Sequence, residues 1–210
     1  MRRRLITDCA GASAAEFALV LPLLLILMFG IIDGGRFMWE YNRAEKATQA
    51  GARVAVVTQI IPTGLSGSWV GQNVGGTYLT QGDVIPPSAI GTITCSKPGT
   101  GAVNCACPGT SVASPLTCPG TIDSTGWDAI VARMKAMEPR ITPANVIVEY
   151  RGSGLGYAGD PGSTDIAPLV TVKLTGLKFT PITSLLLATI TMPAFATTLT
   201  AEDSVGTLSN

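Results

Sequence analysis

The chain has 210 residues, 14 basic and 14 acidic side chains, no histidine and a mean hydropathy of +0.38. That length accommodates one domain plus a membrane segment, at roughly 100 to 200 residues per domain. Zero net charge with only 13% charged residues argues against a nucleic-acid partner, and the missing imidazole removes the commonest general base and metal ligand, so neither an enzyme nor a cofactor or metal site is expected.

Arg2, Arg3 and Arg4 precede an uncharged run from Phe17 to Ile32. Taken from Ala12 to Ile32, a helix rising about 1.5 Å per residue reaches across a hydrocarbon core about 30 Å thick. The basic residues are expected to stay cytoplasmic, which sends everything after Gly34 out to the periplasmic side of the inner membrane. An ordinary cleaved secretory signal fits less well. The apolar run is long, Asp33, Gly34, Gly35 and Arg36 follow it where small residues should mark a cut, and Glu16 charges its start. A plain uncleaved signal anchor satisfies the same hydropathy.

Glu16 is costly near a membrane unless paired, by a few kcal/mol. Cleavage after Gly11 would make Ala12 the new N-terminus and Glu16 the fifth residue of the mature chain, one helical turn from the free α-amine. In a bundle of such helices that carboxylate could accept the amine of a neighbouring subunit and fix register. The plainer alternative is a first-turn acid that assists helix initiation.

Four features mark the stretch from Arg3 to Val57: the small Gly11 before the expected cut, the step Ala15, Glu16, Phe17, the break Leu21, Pro22, Leu23, and a Gly-Arg-aromatic exit ending in Tyr41 and Asn42. In these the chain resembles the N-terminal signature of TadE-like proteins of tight-adherence (Flp, type IV-like) pilus systems. The resemblance implies a processing site at Gly11, Ala12, Glu16 and Phe17, cut by a membrane-embedded prepilin peptidase whose pocket accepts only a very small side chain. It also implies assembly roles for Glu16 and Pro22, with other pilins and pseudopilins as partners.

From Arg36 to Val57 the pattern turns amphipathic. Phe37, Tyr41, Ala44, Thr48, Gly51 or Ala52, and Ala55 recur at helical steps, opposite Arg36, Glu40, Arg43, Lys46, Gln49 and Arg53. Ala44, Ala47, Gly51 and Ala55 allow another element to approach closely, while Pro22 and the glycines 30, 34 and 35 are expected kink points. Pro62 to Thr125 is rich in Gly, Ser, Thr and Pro and reads as loops with short strands.

The cysteines are Cys9, Cys95, Cys105, Cys107 and Cys118. Outside the cytoplasm the last four imply two disulfides. A bond between Cys105 and Cys107 would strain a very short loop, so each is expected to pair with one of Cys95 and Cys118. A zinc site lacks the usual ligand spacing.

Trp127 to Met137 returns to helical spacing and stops before Pro139. Val146, Val148 and Tyr150, then Val170, Val172 and Leu174, alternate as half-buried strands, with a last strand from Ala194 to Glu202. The resemblance adds a Phe-Thr-Pro step between terminal strands, here Phe179, Thr180 and Pro181. Asp160 and Asp165 offer too few oxygens for a calcium loop, and Gly152, Gly154 and Gly156 lack the cation and helix of a phosphate loop.

These readings give an α+β fold: a long N-terminal transmembrane and amphipathic helix packed on a small antiparallel sheet, with a loop-rich, disulfide-containing insertion. The expected organisation is a leader (1–11), a transmembrane helix (12–35), its amphipathic continuation (36–61) and an extracytoplasmic head (62–210). The expected function is a TadE-like minor pilin or pseudopilin in Flp pilus assembly, held in the membrane or incorporated into an extracellular pilus. The alternative is a signal-anchored extracytoplasmic binding module not cleaved at Gly11.

Overall fold

Residues 10–107, 120–161, 164–185 and 188–201 are described by a computed structural model. The elements run α1 (Ala10–Ala55), β1 (Asn73–Val74), β2 (Thr77–Tyr78), β3 (Ile93–Ser96), β4 (Asn104–Ala106), α2 (Ser124–Met137), β5 (Val146–Arg151), β6 (Leu169–Leu174), β7 (Lys178–Phe179), β8 (Ile190–Thr191) and β9 (Phe195–Thr200). They divide into two compact units, one from Met1–Tyr41 and Lys178–Thr191, the other from Asn42–Leu177 and Met192–Asn210.

Helix α1 runs without interruption through Pro22 and through the glycines read as kink points. Its composition explains its length, because Ala and Leu are its commonest residues and lose little or no side-chain freedom in a helix. The ladder closes at Ala55, short of residue 61. Val56, Val57 and Thr58 are β-branched, and Ile60, Ile61 and Pro62 follow, a run that disfavours the α region. The last turn is completed by Val56 N to Ala52 O at 3.1 Å and Thr58 N to Val54 O at 3.0 Å.

In the second unit, five strands form an antiparallel sheet in the order β4-β3-β5-β6-β9. Val146, Val148 and Tyr150 stand opposite Leu174, Val172 and Val170, and all six are buried. Register extends this apolar face to Ile93 and Cys95 on one side and Phe195 on the other. The C-terminal part of α1 packs here through side chains at three- and four-residue steps: Ala44, Ala47, Thr48, Gly51, Ala52 and Ala55 are all buried.

Gly51 shows how close the approach is. A Cβ at that position would come within 2.7 Å of Met134 Cγ on α2 and 3.4 Å of Val172 Cγ1 on β6. The small-residue face is therefore a packing face, as its composition indicates. Thr48 Oγ1 accepts a 3.1 Å hydrogen bond from Thr197 Oγ1 on β9, which ties the helix to the edge strand.

Helix α2 starts at Asp123, whose carboxylate accepts from Thr125 N and Gly126 N, both at 3.0 Å, satisfying two of the orphan donors at a helix N-terminus. Trp127, Ile130, Val131 and Met134 form its buried face. The helix ends at Met137, before Pro139, where the spacing predicts.

Two features differ from simple alternation and loop composition. Strands β3 and β4 lie inside the segment read mainly as loops, and β4 carries no periodic signal; it is held by pairing to β3 and by a disulfide. Glu149, on the polar side of β5, is also buried. It accepts from Lys173 Nζ at 2.5 Å and Arg151 Nη2 at 3.2 Å, so the charge is compensated where alternation alone predicts exposure.

Candidate anchoring and assembly site

The first unit holds the residues expected to act in processing and assembly. Gly11 and Ala12 lie in the first turn of α1, and Glu16, Phe17 and Pro22 follow within the same helix, all three exposed. From 14 to 32 every residue is exposed except the half-buried Phe29. Leu19, Leu23 and Ile31 are 80%, 71% and 70% exposed. A contiguous apolar surface of this kind on a soluble protein marks a missing partner or a membrane. Among the described residues, α1 is the one helix long and apolar enough to cross a membrane.

The apolar surface ends at Asp33, which is buried. Its Oδ1 accepts from Ile182 N at 2.7 Å, and its Oδ2 from Thr183 N at 3.0 Å and Thr183 Oγ1 at 2.8 Å. Arg36 Nη1 contributes a further bond at 3.3 Å. One side chain thus caps the short 3-10 turn Ile182–Leu185 from outside, across about 150 residues of sequence. One turn on, Phe37 meets Phe179 edge to face with centroids 5.4 Å apart, and the Arg36 guanidinium lies 5.5 Å from the Phe179 ring centre. Such aromatic and cation contacts each add about 0.5–1.5 kcal/mol.

Residues 33, 36 and 37 of α1 therefore hold the β7–β8 hairpin by charge, cation and ring contacts. Sequence reasoning missed Asp33. The signal was present: a carboxylate at the end of an apolar run needs compensation for the same reason as Glu16, yet its partners lie too far along the chain for any local pattern to show.

In the second unit, Cys95 and Cys105 face each other directly across β3 and β4 and form a disulfide. Cys107 is also disulfide-bonded. Cys118 lies outside the described residues, as does Cys9. Asp165, weighed for calcium, is buried and already engaged: it accepts from Trp69 N at 2.6 Å, Gly159 N at 2.8 Å and Asp160 N at 3.1 Å. It is a clamp that draws three loop amides to one carboxylate. Of the glycines weighed for a phosphate loop, Gly152 and Gly156 owe their place to close backbone approach. A Cβ would come 2.0 Å from Pro87 O at the first and 2.2 Å from Asp165 O at the second.

Asp83 closes a tight turn by accepting from Thr80 N at 2.7 Å and Thr80 Oγ1 at 2.8 Å, and these bonds hold its carboxyl below the ordinary carboxylate value against a smaller effect of burial. Among the described residues no cluster of His, Cys, Asp or Glu is arranged to hold a metal ion.

Residues 11–53 match the family model of the TadE-like protein. The N-terminal helix is thus similar to that of TadE-like proteins. The match begins at the small residue singled out in the sequence, takes in the exposed apolar surface, and ends at Arg53, just past Gly51 and Ala52 of the buried small-residue face. Residues 54–210 lie outside it. No curated protein and no solved structure matches the chain. A TadE-like segment suggests involvement in a tight-adherence pilus system and interaction with other components of that system, and the exposed apolar helix suggests anchoring in a membrane.

Proposed function

We propose that this protein is a minor pilin or pseudopilin that is processed after Gly11 and takes part in assembling a tight-adherence pilus. The observation that carries the reading is the TadE-like match starting at Gly11 on a helix whose side chains from 14 to 32 are almost all exposed. A helix with that surface needs lipid first and can exchange it for neighbouring helices later, since van der Waals packing and polar pairs drive association in bilayers.

In this scheme a prepilin peptidase removes residues 1–11 and leaves Ala12 with a free α-amine. Glu16, one turn away, accepts the amine of a neighbouring subunit in a low-dielectric setting. Pro22 loosens the helix where subunits pack, because it removes one ladder hydrogen bond. The residues after the span remain outside the cytoplasm, where Cys95 and Cys105 are oxidised.

Mass spectrometry of the N-terminus of the membrane-recovered protein tests this directly. The expected start is Ala12 in the parent and in Gly11→Ala, and an uncut chain when Gly11 is replaced by Leu. An intact Met1 in the parent, or a cut beyond Ile32, overturns the proposal. Glu16→Ala, compared on the fraction of chains that start at Ala12, should abolish co-purification with other pilins; unchanged co-purification removes the pairing role of the carboxylate.

A further inference from the structure

The β7–β8 hairpin is a second hydrophobic feature of the first unit, and it is held at one level of α1. Asp33 follows directly on Ile32, the last residue of the uncharged run, and takes the leading amides of the turn at 182–185. Ile182 and Ile190, on the two flanks of the hairpin, are 52% and 46% exposed. Ile31 and Ile32 on the helix are exposed as well. From Phe179 to Ala201 the sequence contains no charged residue, whereas Lys178 and Arg36 stand at its edge.

We infer that this hairpin lies in the lipid interface beside the point where α1 leaves the bilayer, so that the protein touches the membrane through two elements. The inference rests on α1 being membrane-anchored. Three observations single out lipid as the occupant. The exposed isoleucines belong to a hairpin fixed at Asp33, the residue that follows the last apolar position of the span. The turn's leading amides are satisfied by Asp33, which an apolar setting demands because lipid offers no replacement hydrogen bonds. Arg36 bonds the same carboxylate while 42% of its side chain stays accessible, as a cation at the headgroup level does. The hairpin is too short to span and instead lies on the surface.

Photo-crosslinking in the full-length protein, reconstituted in vesicles of phosphatidylethanolamine with phosphatidylglycerol, tests the placement. A benzophenone side chain is put at Ile182, Ile190, Leu24 or Tyr78, and adducts are identified by mass spectrometry. Lipid adducts at Ile182, Ile190 and Leu24, with none at the exposed Tyr78 of the second unit, are the expected result. Lipid adducts at Leu24 alone overturn the hairpin contact and leave the anchor standing. Adducts at none of the positions overturn both. A protein adduct at Ile190 overturns lipid as the occupant and assigns the hairpin to a partner. Asp33→Ala should lower the lipid adducts at Ile182 and Ile190 several-fold without changing Leu24; equal adducts in this variant overturn the role of Asp33 as the latch.

Discussion

In the unit formed by Met1–Tyr41 and Lys178–Thr191, large apolar side chains point outward and the hairpin is held by a carboxylate, a guanidinium and two rings. In the other unit the distribution is reversed. Trp69, Trp127 and Met134 are fully buried, Tyr150 is at 1%, and the helix contributes only small residues and a threonine to that core. One continuous helix passes through both, so backbone propensity does not distinguish them. The difference lies in the solvent each surface fits: burial of apolar area stabilises the second unit in water, while the exposed apolar area of the first suits lipid or other helices.

The largest expected effect breaks this comparison at its centre. Trp127→Ala removes a fully buried side chain from α2 and should cost about 3–5 kcal/mol, whereas Leu24→Ala, at an exposed position, should change unfolding by less than about 0.5 kcal/mol. Urea unfolding of the full chain in detergent, followed by circular dichroism, measures both. Equal losses would mean that the exposed run of α1 is a core helix with its partner missing.

Two glycines sharpen the same contrast on one helix. Gly51 has Met134 and Val172 against it, and Gly34 has nothing within 4 Å of an added Cβ. Gly51→Leu should cost about 1–3 kcal/mol through overpacking, at the lower end if Met134 can swing aside. Gly34→Leu should stay within about 1 kcal/mol, the scale of helix propensity. The thermal midpoints of the two variants, compared in one detergent, decide between them.

How much of this was legible in the sequence follows from the range of each contact. The exposed span and the small-residue face show because hydropathy and helical period are local, and α2, β5 and β6 show because their apolar residues recur at regular steps. The pairing of Cys95 with Cys105 was narrowed by the short spacing to Cys107. Asp33 with Thr183, Asp165 with Trp69, and β4 on β3 were not legible. Each depends on partners brought together by the fold, and Asn104–Ala106 has no periodicity to announce a strand.

The smallest effect concerns Tyr150, a polar group kept inside the second unit. Its hydroxyl accepts from Ile61 N at 3.2 Å, a long bond, so Tyr150→Phe should cost about 1 kcal/mol at neutral pH by leaving that amide unpaired. Burial pushes the phenol well above its ordinary value of 10.0; Asp123 adds to the rise, and the Ile61 amide opposes it. A raised folded pKa means that the native state holds the neutral phenol. Its contribution is complete below about pH 10 and is lost as pH rises towards the folded value, at up to about 1.4 kcal/mol per pH unit. Unfolding midpoints of the parent should therefore fall more steeply above about pH 10 than those of Tyr150→Phe, so that the two curves converge. Parallel curves would show that the phenol ionises without opening the core and that Tyr150 is wetter than Val148 and Val170 beside it.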